Sequence, residues 1–479
     1  MANKTFSEEY KSIGIFLILE LLALVSFGLG GVYLIFQIAG FIIALIATLF
    51  AFRNYTKADL KPILYIGTPL LLMAIFTSFG KYFESYNFLA NLASLLAIIS
   101  FLAIGLSARR IQGFSSRNAL LCIGGGLALI VLVSTFITWV EYGVFYTLIH
   151  RHAGNYYYNG NLYSVLNEMS WLNGFKVVEM SLKYGGLFAL LCACFLSTLL
   201  FIKPKDDKVS FIAFTIIGGI GLVSIISIPN IPALIIFIIS FLVACFYRYL
   251  RDNELAMKIL HYSLLVIAGF ATVLVFVAML NVSSVGVKAF IEGSPILNRL
   301  FNTNRFMNVI NPVLEAALKP FNLFGINTMT YYNGYKFADQ DILTSTGIFE
   351  IEIMKEGGIF AFLFFMIFAL MTYASFGRYL KQGKDDNHIK VIFLTILVGF
   401  VLYSSLYNDV FPVTHSDHNY YPFTRSLPFF IMLFIVGFTI LPEGKAEISY
   451  VEVTPKKEKK EVKEDDDYSF VDIEEEEII

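Results

Sequence analysis

Long apolar runs, separated by short polar connections, recur from residue 13 to residue 442. Each is about 20 residues long, the length of helix that crosses the hydrocarbon core of a bilayer. The runs are continuous and do not alternate as barrel strands do. The pattern predicts an all-α, polytopic membrane protein with about twelve spans, near 13–28, 31–52, 62–79, 88–107, 119–140, 177–202, 209–227, 231–249, 260–281, 357–376, 390–407 and 426–442. The first run, Ile13–Phe27, lacks a cleavage site and is followed at once by another, so it is expected to be a retained span.

The short connections fix an orientation. Arg53, Lys57 and Lys61 follow the second span, and Arg109, Arg110 and Arg117 the fourth. Lys203, Lys205 and Lys208 follow the sixth, Arg248, Arg251 and Lys258 the eighth, and Arg378, Lys381, Lys384 and Lys390 the tenth. All of these are even-numbered exits, so the positive-inside rule predicts that both termini are cytoplasmic. Two large loops then face outward, 141–176 and 282–356, with a smaller one over 408–425.

Composition agrees with the pattern. The 479-residue chain is 57% hydrophobic and only 15% charged, whereas a soluble domain carries nearer a quarter charged residues. Cys122, Cys192, Cys194 and Cys245 all lie inside apolar runs, which implies neither a disulfide framework nor a zinc site and fits small hydrophobes in helix packing. The net charge of −2 hides an asymmetric end. Residues 1–442 read as the transmembrane domain, and 443–479, with "PKKEKKEVKEDDD" and "VDIEEEEII", as a charged tail that has no burial pattern and is expected to be disordered.

Candidate chemistry sits in the outer loops. In 282–356, "NRFMNVINPVLEAALKPFNLFGIN" (304–327) predicts a short helix capped by Asn311, begun at Pro312 and stopped by Pro320. A turn at Gly325 follows. Farther on, Glu352 and Glu356 fall four apart on one helix face at the entry to the tenth span, either as a surface cluster with Lys355 or as carboxylates facing a cavity. Arg151, Arg299, Arg305 and Arg425 lie outside against the usual charge bias. Each alone can anchor a headgroup, and together they suit a phosphate-bearing lipid head or an acidic glycan. "NDVFPVTHSDHNYYPFTR" (408–425) gathers His415, Asp417 and His418. An imidazole oriented by a carboxylate is a general-base arrangement, with a metal pair as the alternative. Tyrosines in 155–163 and 408–425, and Tyr332, can stack on sugars or form the interfacial belt. Asp339 and Asp341 form a D-x-D able to hold a divalent cation. The chain has no Walker A, G-x-S-x-G or H-E-x-x-H pattern, which leaves nucleotide-driven transport and common hydrolase chemistry without support.

The order of an arginine, a short helix, "PFNLFGIN" and then "GIFEIEIMKEGGIFAFLFF" resembles the signature region of the O-antigen polymerase and O-antigen ligase superfamily, over about 60 residues from Arg305 to Phe365. Members show an arginine ahead of P-x-x-G-x-G, then E-x-G-I-x-G entering a span. The resemblance implies a GT-C-like glycosyltransferase of the bacterial cytoplasmic membrane, working on its outer face. Donor and acceptor would be glycans on undecaprenyl pyrophosphate, without a nucleotide, a cofactor or a nucleic-acid partner, and with membrane lipids and a chain-length regulator or flippase as associates. By motif, Arg305 would bind phosphate, Gly325 would be the turn glycine, and Glu356 and Gly357 the E-x-G entry. Ligases carry H-N-x-x-L just before this helix, where this chain has "STGIF" (345–349). That departure favours polymerase over ligase and leaves the base unassigned. A flippase or another lipid-linked-sugar transporter is the alternative, although the two halves of the chain show no repeat of the kind transporters carry.

Overall fold

The computed structural model describes residues 57–79, 98–106, 116–142, 183–301, 348–381, 387–406 and 422–440 with few gaps, and isolated positions between 39 and 49 and between 310 and 323. The chain divides into a unit Met1–Glu443 and a unit Gly444–Ile479, and all described residues belong to the first. Among them every regular element is helical. The expected spans over 13–28 and most of 31–52, and the tail 443–479, lie outside the described residues.

We number the helices α1 (Lys57–Phe79), α2 (Ser116–Tyr142), α3 (Lys183–Ala193, continuing as a 3₁₀ turn over Cys194–Leu200), α4 (Lys208–Ser227), α5 (Ile231–Leu250), α6 (Glu254–Ser283), α7 (Val285–Gly293), α8 (Pro295–Phe301), α9 (Phe349–Lys381), α10 (Asn387–Leu406) and α11 (Pro422–Thr439). Among the described residues four stretches are long and apolar enough to cross a membrane: α4, α5, Gly357–Lys381 of α9, and Asn387–Ser405 of α10. A fifth results if the bent pair α6–α7 counts as one span. Lys61–Thr77, Ile123–Trp139, Gly185–Leu200 and Pro428–Thr439 are shorter apolar helices.

Short polar residues start the helices where the sequence offers them. Asp207 accepts a hydrogen bond from the Ser210 backbone N–H at 3.0 Å, Asn230 from Ala233 at 3.1 Å, Asn253 from Ala256 at 3.2 Å, and Ser284 from Val287 at 3.5 Å. Each satisfies one of the N–H groups that a first turn leaves open. This matters more beside hydrocarbon, where no water replaces a missing partner.

The core forms around α3, whose residues Leu187 to Ala193 are buried on every side. A helix apolar all round has no face for water, and α2, α4, α5 and α10 surround it. Cys192 and Cys194 pack here as free thiols, their Sγ atoms 3.1 Å from the Ile217 carbonyl oxygen and 3.6 Å from that of Thr395. On the outside, α4, α5 and α6 leave Ile212, Ile216, Ile235, Leu242, Phe270 and Val273 exposed. So much exposed apolar surface on adjoining helices suits contact with lipid and not with water.

The two ends of the bundle differ. At the C-terminal end of α5, the Arg248 Nε–H donates to the Leu200 carbonyl oxygen at 3.0 Å. The Arg248 and Arg251 guanidinium groups both lie over the Phe201 ring, at 5.2 and 5.6 Å from its centre. The Tyr247 hydroxyl is 3.5 Å from Asn387 Oδ1 at the start of α10. At the other end Asn230, the cap of α5, donates through Nδ2 to the Tyr403 hydroxyl near the end of α10 at 3.1 Å. The two helices are therefore antiparallel, and their 20 residues each separate the ends by about 30 Å.

Candidate functional site

The tenth expected span is joined to a helical turn that hydropathy assigns to the loop. Ile348 and Phe349 are followed by Glu350 and Glu352 in the first turns of α9, where a helix dipole favours carboxylates. Within α9, Gly358 has φ 72° and ψ −167°, a region essentially closed to any residue with a Cβ. It splits α9 into a short helix, 349–357, and a spanning helix beyond. Gly357 serves differently: a Cβ there would come within 2.8 Å of Thr77 Cγ2 and 2.9 Å of the Thr77 nitrogen on α1. One glycine makes the break and the other seats it against α1.

The short helix holds buried acids. Glu350 is 5% exposed and Glu352 is fully buried. The Ser405 hydroxyl on α10 donates to Glu350 Oε1 at 2.5 Å, while Oε2 is buried with no hydrogen-bond partner among the described residues. Burial pushes the Glu350 carboxyl up from its ordinary range, partly offset by the Ser405 hydrogen bond and by its own backbone N–H. Next to it, Phe349 meets Phe365, Phe400 and Phe429 at ring-centre distances of 5.3, 6.0 and 5.4 Å. These rings keep the surroundings apolar and tie the starts of α9 and α11 to the end of α10. Tyr403 and Asn230 lie at that same end, with Gly186 of α3 against both side chains.

A second apolar cluster forms the other flank. Val275 and Ala278 of α6, Ile291 of α7 and Phe301 of α8 pack with Ile310, Leu314 and with Ile351, Met354 and Phe362 of α9. It is reached because α6 and α7 meet at a 115° bend around Ser284. Phe301 and Ile310, the described residues on either side of segment 302–309, both belong to this cluster. Ile310 and Asn311 are already helical. The helix expected to be capped by Asn311 therefore starts before it.

The structure treats the expected site residues unequally. Arg299 lies on α8 and Arg425 in the first turn of α11, so both belong to helices and not to open loops. Arg425 is four residues before Phe429, which meets the Phe349 ring, so its backbone belongs to the Glu350 end. Glu356 is helical, two residues before the Gly358 break. The side chains of these three, and Arg151, Arg305, Gly325, Tyr332, Asp339, Asp341, His415, Asp417 and His418 altogether, lie outside the described residues. Among the described residues no group of three or more His, Cys, Asp or Glu is placed to hold a metal ion.

Sequence reasoning missed Glu350, Ser405 and the Gly358 break. The spacing of Glu352 and Glu356 draws attention because four residues make a helical pair. Glu350 shows only as an acid set between Phe349 and Ile351, a signal that gains meaning once the helix is known to begin at Phe349.

No protein-family model, curated protein or solved structure matches the chain. Its described residues form an all-helical protein with several apolar helices suited to a membrane.

Proposed function

We propose that the chain is a membrane glycosyltransferase of the O-antigen polymerase type. It polymerises oligosaccharide repeat units carried on undecaprenyl pyrophosphate, at the outer face of a bacterial cytoplasmic membrane. One observation carries the proposal. The flanks of the segment bearing Arg305, namely Phe301 and Ile310, pack with Ile351 and Met354 on the short helix that holds Glu350 and Glu352. A guanidinium for the pyrophosphate and a carboxylate for the acceptor hydroxyl are the two groups such a transfer needs. The described residues on either side of the Arg305 segment and the helix of Glu350 share one cluster, although 45 residues separate Arg305 from Glu350 in sequence.

The direct test is synthesis. Purified protein in nanodiscs, given undecaprenyl-pyrophosphate-linked repeat units extracted from the cells that make it, should produce a ladder of longer glycans without added nucleotide. A protein that moves these lipids between leaflets of a vesicle but makes no ladder is the transporter of the alternative.

Orientation is a second, independent prediction. Cysteines introduced at Ser283 and Ser416 should react with impermeant thiol reagents in intact cells, and one at Ser115 should not. The basis is the concentration of Lys and Arg at even-numbered exits, together with the separation of the Arg248–Arg251 end from the Glu350 end. Labelling of Ser115→Cys from outside would place the Glu350 end in the cytoplasm and remove the proposed donor.

A further inference from the structure

We infer that Glu350 is the proton acceptor of the proposed transfer, its Oε1 fixed by Ser405 and its Oε2 left to take the proton of the acceptor hydroxyl. The inference rests on the polymerase reading and assigns the base that the resemblance leaves open. Buried polar atoms are nearly always paired, so an unpaired carboxylate oxygen needs a role. Glu350 Oε2 is buried without a hydrogen-bond partner among the described residues, on a side chain whose other oxygen is held at 2.5 Å. One oxygen held and the other unpaired is the arrangement of a base that has been aimed.

The backbone supports the same role. Glu350 is in the first turn of α9, where open N–H groups favour the ionised form, while burial favours the neutral one. Burial outweighs the lowering influences, so the carboxyl holds a proton to higher pH than an exposed glutamate does. The glycine break eight residues later lets the short helix be oriented separately from the spanning helix, so the carboxyl is positioned by Ser405 and the Phe349 rings.

The step balances. The acceptor hydroxyl oxygen attacks the anomeric carbon of the donor, and a new C–O bond forms. The bond from that carbon to the phosphate oxygen breaks, with its electron pair leaving on the polyprenyl pyrophosphate. The hydroxyl proton goes to Glu350 Oε2, which later releases it to water.

The test uses the full chain in nanodiscs with the extracted lipid-linked repeat units. Glu350→Gln keeps the shape and can keep the Ser405 contact, so it should fold as wild type does. It should lower kcat at least 100-fold with little change in KM. In wild type the rate should rise with pH through a midpoint above the ordinary glutamate range, and this limb should vanish in Glu350→Gln. Ser405→Ala should cost less, about 3- to 10-fold, and move the midpoint. Independently of activity, dicyclohexylcarbodiimide, which reacts with protonated carboxyls in apolar surroundings, should modify Glu350, and less so as pH rises. A Glu350→Gln protein within threefold of wild type would overturn the assignment and leave the polymerase reading standing. No modification of Glu350 at any pH would also overturn it, because the oxygen would then not be reachable. A wild-type protein that makes no ladder while Glu350 is modified would sink the polymerase reading, and the base role with it.

Discussion

Arg305→Lys is expected to lose the proposed polymerase activity by about 30- to 1000-fold, the equivalent of removing roughly 2–4 kcal/mol of transition-state stabilisation in a shielded site. In the proposed transfer the leaving group is a pyrophosphate, and a guanidinium offers it two parallel N–H donors. An ammonium offers a point charge on a flexible stem. Arg305→Ala should be no better than Arg305→Lys if this geometry matters. A headgroup anchor behaves otherwise: lysine reaches the interface as well as arginine, and Arg305→Lys would keep most of its activity. The packing of Phe301 and Ile310 on Ile351 and Met354 ties the ends of the 302–309 segment to the acid-bearing helix, which an anchor does not require. The assay is ladder formation at matched protein level. Near-normal rates in Arg305→Lys would pass the role to Arg299 or Arg425, both on helices, with the Arg425 backbone at the Glu350 end. Normal rates for lysine at all three positions would remove the phosphate-binding role from these arginines.

Much of the helical scaffold is legible in the sequence because hydrocarbon imposes a length. The runs at 209–227, 231–249 and 390–407 correspond to Lys208–Ser227, Ile231–Leu250 and Asn387–Leu406. Their starts are written in the residues Asp207 and Asn230, which cap as short polar side chains do. What stays hidden is what depends on partners distant in sequence. The expected span 260–281 extends to Ser283 and then turns by 115° into α7, a corner set by packing of Ile291 in the second cluster. Hydropathy cannot see a direction. The tightening of α3 to a 3₁₀ turn over Cys194–Leu200 has no local signature either. At the candidate site, the sequence marks the entry helix and its acids, but spacing alone does not say which of them meets Ser405. Which carboxylate is buried against Ser405 is decided by the rotation of α9 on α10, fixed by Phe349 between Phe400 and Phe429. The "GG" pair points to Gly357 by motif alone, because two adjacent glycines do not say which one carries the positive φ.

Gly437→Ala should destabilise the protein, and Gly125→Ala should not. Residues 98–106 and α11 meet through backbone. A Cβ on Gly437 would collide with the Leu102 carbonyl oxygen and stand 2.9 Å from the Leu106 nitrogen. A Cβ on Gly105 would likewise collide with the Phe434 carbonyl oxygen and stand 2.8 Å from its carbonyl carbon. Each glycine thus faces the other helix's main chain, the close approach that small residues permit between membrane helices. Backbone on both sides cannot swing aside as a flexible side chain can, so the helices must separate. Overpacking of this kind costs about 1–3 kcal/mol for a methyl group, and Gly437→Leu should cost more. Gly125, inside α2, has nothing within 4 Å of the place a methyl group would occupy. There the change removes only the conformational freedom of an unfolded glycine, and stability should rise by roughly 0.5–1 kcal/mol. The measurement is the thermal midpoint of monodispersity in one detergent, with wild type, Gly437→Ala, Gly105→Ala and Gly125→Ala side by side. Opposite signs for the contact pair and for Gly125 are expected, since the same chemical change is blocked by main chain in one place and unopposed in the other. A Gly437→Ala protein as stable as Gly125→Ala would mean that residues 98–106 and α11 are not in contact, and the placement of α11 beside Glu350 would have to be redrawn.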